Sequence, residues 1–280
     1  MTSTGTSSMI ELETILLSLD ERGVAHIELN RPTKANAADS LVWKELGQAF
    51  AWLDATPAAR VGVLGGRGKH FCAGIDLAFL GALKAEVLPL PDGHRQERLR
   101  AIIGELQGAV SAIERCRKPV IAAIQGACLG GAIDIVTACD LRYATREARF
   151  AVKEIDLAIV ADLGTLQRLP RLVGEGRARE LALTGREFDG EEALAIGLVS
   201  AIYTTTSALD EAVDAVAAGL AAKSPLALRG TKEILNYSRD HDVAAGLAEV
   251  AARNASLLLA PDVEEAIAAQ LERRPARYPD

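Results

Sequence analysis

The chain has 280 residues, of which 49% are apolar and 25% are charged, and its formal net charge is −7. This length and composition predict a globular protein of one or two domains with a large core. Acidic and basic residues are interspersed without a basic stripe, which argues against nucleic acid as a ligand.

Membrane and targeting signals are not recognisable in the sequence. The longest uncharged run, Ala193 to Leu209, has 17 residues, several of them Ser or Thr, and is too short and too polar to span a membrane. The first dozen residues have neither the charged and apolar regions of a signal peptide nor the arginines of a transit peptide. The tail Arg277-Tyr-Pro-Asp280 is not a peroxisomal signal. We therefore expect a cytosolic protein without a membrane partner.

The chain begins with a predicted hairpin followed by a helix. Residues 13–30 alternate in polarity on both sides of Asp20-Glu-Arg-Gly23, which predicts two strands joined by a turn. Asp39 or Ser40 is a suitable N-cap for a helix that continues to about residue 54.

Strands and helices then alternate. Short apolar runs predict buried strands over 61–64 and 120–124, apolar residues at helical spacing predict a helix over about 95–117, and Gly130-Gly131 opens another. Beyond residue 205 only helices are predicted, over about 207–222, 225–238, 242–260 and 262–273.

This alternation predicts an α/β fold in which a mainly parallel sheet is layered with helices. We interpret residues 1–205 as one α/β domain and residues 206–280 as a helical C-terminal extension. The apolar faces of the last helices fit a subunit contact and ordinary core packing equally well.

Cysteine and histidine do not form a recognisable site. The four cysteines (Cys72, Cys116, Cys128 and Cys139) have no Cys-x-x-Cys spacing, which favours reduced thiols in the core. Cys72 could be a nucleophile, but no His or Asp is placed to activate it, so we interpret it as a packing residue. The four histidines show no metal-ligand spacing, and no metal site is predicted.

Two segments have the order strand, glycine turn, helix: Gly65-Gly-Arg-Gly-Lys-His-Phe-Cys-Ala-Gly-Ile-Asp76 and Gln125-Gly-Ala-Cys-Leu-Gly-Gly131. His70 follows Gly68-Lys69 where a Walker loop needs Ser or Thr, and neither segment fits a dinucleotide fingerprint. Such turns can aim backbone N–H groups at a carbonyl oxygen and form an oxyanion hole. Structural turns use the same glycines.

Three carboxylates occur in apolar surroundings, namely Asp134, Glu154 and Asp162. A carboxylate in such surroundings is costly unless it is paired, hydrogen-bonded or protonated, so these residues are candidates for proton transfer. The alternative for each is a helix cap or an arginine partner. Three such acids beside two glycine-rich turns favour the functional interpretation.

Phe71-Cys-Ala-Gly-Ile-Asp-Leu77 and Gly126-Ala-Cys-Leu-Gly-Gly-Ala-Ile-Asp134 resemble the two signature segments of the crotonase superfamily of enoyl-CoA hydratases and isomerases. The similarity covers nearly the whole chain from Leu29-Asn-Arg-Pro-Thr-Lys-Ala-Asn36 onwards. Three further segments resemble the isomerases that convert 3,5-dienoyl-CoA to 2,4-dienoyl-CoA: Val152-Lys-Glu-Ile-Asp156, Ala161-Asp-Leu-Gly-Thr-Leu-Gln-Arg-Leu-Pro170 and Ser238-Arg-Asp-His241.

The spacing of the carboxylates separates the subgroups. Enoyl-CoA hydratases resemble this chain at Glu154, usually carry Glu at the position of Asp134, and normally have no acid at the position of Asp162. The third carboxylate therefore favours the isomerase. Ala132 departs from the subgroup, where Gly is common, and we expect little effect beyond a tighter turn.

The resemblance implies a spiral of ββα units with C-terminal helices that build a trimer or a dimer of trimers. It implies an oxyanion hole from the Ala73 and Gly131 amides, and an acyl-CoA site that also includes Gly74, Ile75, Asp76 and Leu77. The turn around Ala35 is expected to hold the coenzyme A end. Coenzyme A belongs to the substrate, no other cofactor is implied, and the expected role is in fatty-acid β-oxidation.

The expected reaction removes a proton at C2 and adds one at C6. We assign Glu154 to C2 and Asp162 to C6, with Asp134 as a third acid that orients or tunes the other two. A single helix over 154–162 would separate its end residues by about 12 Å, so this segment must fold back. Its apolar residues (Ile155, Leu157, Ile159 and Val160) are expected to desolvate the acids.

Other functions remain possible on the same fold. An enoyl-CoA hydratase or a 3-enoyl to 2-enoyl-CoA isomerase would use a similar site. A non-catalytic or RNA-binding homologue is an alternative of another class, and the acidic balance and intact acids argue against it.

Overall fold

An antiparallel hairpin begins the fold in the computed structural model, which describes residues 10–279. Its strands are β1 (Ile15–Leu19) and β2 (Val24–Leu29). Gly23 in the connecting turn has φ +84°, and an added Cβ would lie 2.8 Å from the Ala58 carbonyl oxygen, so this turn requires glycine. The predicted hairpin is confirmed.

The other strands form one large and one small sheet. They are β3 (Val61–Gly66), β4 (Val120–Ile124), β5 (Ala127–Leu129), β6 (Leu141–Thr145), β7 (Arg149–Ala151), β8 (Phe188–Asp189) and β9 (Ala201–Tyr203). The large sheet has the order β1-β2-β3-β4-β6-β9 and the small sheet the order β5-β7-β8. Every pair in the large sheet after β1-β2 is parallel, as predicted.

The helices before residue 200 connect these strands. They are α1 (Ser40–Ala55), α2 (Leu77–Val87), α3 (Asp92–Arg115), α4 (Gly131–Thr137), α5 (Thr165–Val173), α6 (Glu175–Thr184) and α7 (Gly190–Ala195). Asp39 is the N-cap of α1, since its carboxylate accepts the N–H groups of Leu41 and Val42 at 3.0 Å. The helix α2 was not predicted, because Val87 is its only buried residue and no apolar face marks it.

Four helices follow residue 205, close to the predicted positions: α8 (Thr206–Ala221), α9 (Pro225–Arg239), α10 (Val243–Leu257) and α11 (Pro261–Glu272). The helix α8 packs on the large sheet through Leu209, Val213 and Ala217, which are buried against Val63 and Ile121. This helix therefore belongs to the layered α/β core, while the division into residues 1–205 and 206–280 stays a prediction.

The last two helices and the turn between them leave apolar side chains exposed: Val243, Leu247, Leu259, Ile267 and Leu271. Within residues 10–279 no single helix is long and apolar enough to cross a membrane. Only α10 and α11 taken together, with a bend of 75° between them, have sufficient length and apolar composition.

Candidate active site

The first signature segment is held between two other pieces of chain. On one side the Cys72 N–H donates to the Ala127 carbonyl oxygen at 2.9 Å. On the other side the Ala73 N–H donates to the Ala35 carbonyl oxygen, also at 2.9 Å. The prediction that Ala73 supplies an oxyanion-hole amide is therefore wrong, because this N–H already has a partner within the chain.

Ile75, rather than Ala73, has a backbone N–H that is available to a ligand. Ala38 forms a parallel bridge with Ile75 by donating its N–H to the Gly74 carbonyl at 2.8 Å and accepting the Asp76 N–H at 2.9 Å. In a parallel bridge the N–H of the central residue points away from the bridging segment. The Ile75 N–H therefore points away from Ala38 and has no hydrogen-bond acceptor among residues 10–279.

Gly131 provides a second amide on the same side. It is the first residue of α4, so no carbonyl of that helix can accept its N–H. The Trp43 ring packs against it, since an added Cβ on Gly131 would lie 3.2 Å from that ring. Ile75 and Gly131 line the same cavity, and two such amides can stabilise a carbonyl oxygen that gains negative charge.

That cavity has a volume of about 290 Å³. Its lining residues are Trp43, Ala73, Gly74, Ile75, Leu77, Gly130, Gly131, Asp134, Lys153, Glu154, Asp156, Leu157, Ile159, Asp162 and Leu163. All three predicted carboxylates are among them. Of the residues predicted to bind substrate, Ala35 and Asp76 lie outside this lining. Asp76 instead accepts the Ala78 N–H at 3.0 Å and caps α2.

Asp134 is the most buried of the three acids. It lies on α4, is 1% exposed, and its Oδ1 accepts the N–H of Thr165 at 2.6 Å. Burial raises the pKa of Asp134 to about 7, and the charges of Glu154 and Asp162 raise it further. The hydrogen bond from Thr165 acts in the opposite direction and lowers this pKa. The helix-cap alternative is thus partly right, because one oxygen of Asp134 satisfies the first amide of α5.

Glu154 begins a short 3-10 turn over Glu154–Leu157. The carboxylate lies beside Gly130, the residue before the Gly131 amide, since an added Cβ on Gly130 would be 3.3 Å from Glu154 Oε1. Its Oε2 is buried without a hydrogen-bond partner. Burial raises the pKa of Glu154, and the charge of Asp162 adds to the shift. An unpaired carboxylate in this position is suited to accept a proton from a bound ligand.

Asp162 reaches the cavity because the chain turns back after the 3-10 turn. Ala158 has φ +57°, a left-handed conformation that reverses the chain direction. Partial burial raises the pKa of Asp162, although the residue as a whole is exposed at the cavity mouth. The expected fold-back of residues 154–162 is confirmed, and none of the three acids shows the lowered pKa that an arginine partner would cause.

The apolar residues between the acids differ from the expectation. Ile155, Leu157, Ile159 and Val160 are 46%, 41%, 41% and 69% exposed, and only Leu157 and Ile159 line the cavity. Ile155 and Val160 therefore do not shield the acids as predicted, and only Leu157 and Ile159 border them. The buried walls beside Glu154 are instead formed by Trp43 and the two signature segments.

Sequence reasoning missed two residues of the site. Trp43 lies on the apolar face of α1 and gave no sign of differing from the Leu and Val residues around it. Lys153 precedes Glu154 and donates to Asp156 Oδ2 at 3.1 Å and to the Gly185 carbonyl at 3.0 Å. The predicted role of Cys72 as a packing residue is confirmed, since burial raises its pKa to about 11.

Residues 20–280 match the profile of the family described as Enoyl-CoA hydratase/isomerase. The chain belongs to this family. The peroxisomal Delta(3,5)-Delta(2,4)-dienoyl-CoA isomerase of Arabidopsis thaliana is 48% identical over 268 residues, 95% of this chain and 96% of the relative. The mitochondrial Delta(3,5)-Delta(2,4)-dienoyl-CoA isomerase of Homo sapiens is 41% identical, over 94% of this chain and 80% of the relative.

Solved structures of the family show the same fold. The enoyl-CoA hydratase of Bacillus anthracis superposes with a TM-score of 0.87 at 31% identity and covers 95% of this chain and 99% of its own. The predicted crotonase-like α/β fold with C-terminal helices is confirmed.

The predicted cytosolic location is contradicted by these relatives. The plant relative is named peroxisomal, and the human and mouse relatives are named mitochondrial. Short targeting segments are recognised by receptors and are independent of the folded site, so the chemistry of this fold does not distinguish the compartments.

Proposed function

We propose that the protein isomerises 3,5-dienoyl-CoA to 2,4-dienoyl-CoA. The observation that carries this proposal is the position of Asp162, which lines one cavity with Glu154, Asp134 and the two free amides. The names of the plant and human relatives support the same reaction. A double-bond shift over this distance needs proton transfer at two separated carbons, and two carboxylates can share that task.

The thioester oxygen would lie between the N–H groups of Ile75 and Gly131. Loss of the C2 proton to Glu154 places negative charge on this oxygen, and one donor of this kind contributes about 3–4 kcal/mol to the transition state. The raised pKa of Glu154 makes it a stronger base than an exposed carboxylate once it is ionised.

Asp162 would deliver the proton at C6. Four C–C bonds separate C2 from C6, about 5 Å in an extended chain, so one carboxylate does not serve both ends. Asp134 would remain close to half-protonated near neutral pH, because the charges of Glu154 and Asp162 add to the effect of its burial. Nothing is oxidised or reduced, so the proposed reaction needs no cofactor beyond the coenzyme A of the substrate.

Hydration of a 2-enoyl-CoA is the second candidate. It is favoured by solved structures of similar fold that carry the name enoyl-CoA hydratase. A hydratase has to position a water molecule between two acids, whereas the isomerase has to reach a carbon four bonds from C2. Asp162 is the feature that favours the isomerase.

The first experiment incubates the protein with a 3,5-dienoyl-CoA and with a 2-enoyl-CoA in parallel. We expect the ultraviolet band of a conjugated 2,4-dienoyl thioester to grow in the first reaction. Loss of the enoyl band in the second reaction without any change in the first would favour the hydratase and contradict the proposal.

A second experiment separates the roles of the acids in heavy water, with deuterium at C2 and C6 measured by mass spectrometry or NMR. We expect Asp162→Asn to keep C2 exchange and to lose deuterium delivery at C6 and net isomerisation by about two orders of magnitude. In Glu154→Gln, C2 exchange and deuterium delivery at C6 should fall together, because no dienolate forms. Retained C2 exchange in Glu154→Gln and its loss in Asp162→Asn would reverse the assignment.

We further propose that the chain assembles as a trimer or a dimer of trimers and acts in fatty-acid β-oxidation. The exposed apolar side chains of α10 and α11 support a subunit contact, since such surfaces commonly mark interaction sites. Light scattering at micromolar concentration tests the assembly, and a monomer would contradict it. Gel-shift titration with RNA near physiological salt should show no binding, because the charge is negative and not segregated.

A further inference from the structure

The segment that carries Asp162 is attached to neighbouring helices by side chains outside the proposed mechanism. Gln107 Nε2, on α3, donates to the Asp162 carbonyl oxygen at 2.6 Å. Arg168 Nη1 donates to the Leu163 carbonyl at 3.2 Å. The Arg168 guanidinium also lies directly against the Gly164 backbone, where an added Cβ would overlap it. The backbone on both sides of the Asp162 side chain is therefore held by Gln107 and Arg168.

Arg168 is itself fixed by Glu114 near the end of α3. Its Nη2 donates to Glu114 Oε2 at 3.0 Å and to Ser111 Oγ at 3.2 Å. The side chains of Arg168 and Glu114 are only 14% and 18% exposed. Burial acts to raise the pKa of Glu114, but Arg168 and Arg239 outweigh it and lower this pKa. Glu114 therefore stays ionised and holds the guanidinium in place.

The helix α9 completes this arrangement. Arg239 forms an ion pair with Glu114, and Asn236 Nδ2 donates to the Glu114 carbonyl at 3.2 Å. Asp240 pairs with Arg171 of α5 at 2.9 Å. The segment Ser238-Arg-Asp-His241 is distant in sequence from the acids, but it contacts the residues that hold the loop of Asp162.

The loop needs such attachment because there is space on both sides of it. Asp162 lines the active-site cavity and also a second cavity of about 430 Å³, whose other lining residues include Gln107, Glu114, Arg168 and Arg239. The neighbouring residues Ala161 and Leu163 are buried in the core, but the two cavities leave space around Asp162 itself. The hydrogen bonds to its own carbonyl and to that of the next residue restrict its movement further.

We propose that Gln107, Arg168, Glu114 and Arg239 are positioning residues that set the Asp162 carboxylate for proton delivery at C6. This inference rests on the proposed isomerisation. In the described part of the chain these four side chains form no hydrogen bond or ion pair with Glu154, so their loss should affect the C6 step and leave the C2 step unchanged. A displacement of about 1 Å is enough to lower a rate by up to about a hundredfold.

The test uses the heavy-water assay on the full chain with Gln107→Met, which keeps the length of the side chain and removes its donor. We expect deuterium delivery at C6 and net isomerisation to fall at least about tenfold, with KM and C2 exchange within about twofold of the parent. Gln167→Met is the matched control. Gln167 lines the same second cavity, but its side chain makes no hydrogen bond to residues 162–164.

A second pair of variants separates positioning from stability. Glu114→Gln keeps the shape of the side chain and removes the charge that holds Arg168, and we expect it to lower the ratio of C6 delivery to C2 exchange as Gln107→Met does. Lys232→Met removes a different attachment of α9, the ion pair with Asp140 at 2.7 Å. It should lower the melting temperature and leave that ratio unchanged.

The inference is overturned if Gln107→Met and Glu114→Gln isomerise like the parent, or if they lower C2 exchange and C6 delivery equally. An equal fall of the ratio in Lys232→Met would assign the effect to helix docking and would also overturn it. A parent protein that does not isomerise a 3,5-dienoyl-CoA overturns the proposed function itself, and this inference with it.

Discussion

Asp134→Asn is the change whose consequence follows most directly from the structure. The carboxylate is 1% exposed, and its pKa is raised from 3.8 to about 7. Asparagine has nearly the same shape as the protonated acid, and its Oδ1 can still accept the N–H of Thr165, which now meets Asp134 Oδ1 at 2.6 Å. The substitution therefore removes the ionisable group and keeps the hydrogen bond.

The raised pKa makes the free energy of unfolding depend on pH. Below pH 3.8 the acid is protonated in both the folded and the unfolded chain, and its burial carries no ionisation cost. Between about pH 4 and pH 7 the unfolded chain ionises while the folded chain holds its proton, so stability falls as pH rises. At 1.36 kcal/mol per pKa unit, the shift to about 7 corresponds to a loss of about 4 kcal/mol, which is complete above pH 7.

Urea unfolding of the parent and of Asp134→Asn, at equal protein concentration from pH 4 to pH 8, measures this loss. The two proteins should have similar stability at pH 4. As pH rises to 7, the free energy of unfolding of the variant should increasingly exceed that of the parent. Above pH 7 the difference should stay constant at about 4 kcal/mol. A difference in the free energy of unfolding that does not change with pH would refute a raised pKa at Asp134. An increase in the stability of the parent relative to the variant as pH rises would refute it as well.

Three further predictions concern the site and its supports. The parent should lose isomerase activity as pH falls through the raised pKa of Glu154. In Asp162→Asn the same limb, measured as C2 exchange, should move to lower pH, because the charge of Asp162 contributes to that raised pKa. Gly74→Ala should lower both activity and melting temperature, because Gly74 has φ +92° and the new Cβ would lie 2.6 Å from the Leu129 carbonyl oxygen. An unchanged melting temperature in calorimetry and unchanged kinetics would contradict this. Lys232→Met should lower the free energy of unfolding by about 1–3 kcal/mol, because the partly buried Asp140 carboxylate loses its cationic partner and keeps the Val120 N–H as a donor. An unchanged midpoint in urea titration would show that the pair contributes nothing.

Periodicity predicted those elements whose apolar residues face one direction. The hairpin over 13–30 and the helix from Ser40 have one apolar face each, and both appear close to the predicted positions. Helix α2 has no such face, because its residues are apolar but mostly exposed. Its start is specified instead by Asp76, which caps it after the first signature segment.

The three acids that line one cavity could be selected from the sequence, because a carboxylate in apolar surroundings is conspicuous. The amide donors were not, because every residue except proline carries an N–H. Choosing between Ala73 and Ile75 requires knowing which amides are already bonded, and that depends on the approach of Ala35 and Ala38 from a distant part of the chain. No local pattern within the signature segment contains this information.

The structure separates the features shared across this family from those that favour one reaction. Two free amides beside Glu154 suit any reaction that passes through a thioester enolate, and the turns that present them are part of the fold. Asp162 lies on a loop between the buried residues Ala161 and Leu163. The position of this loop also depends on Thr165, whose N–H donates to Asp134, and on the side chain of Gln107 from α3. Changes that release this loop are therefore expected to leave the fold and the enolate chemistry intact and to remove the step at C6.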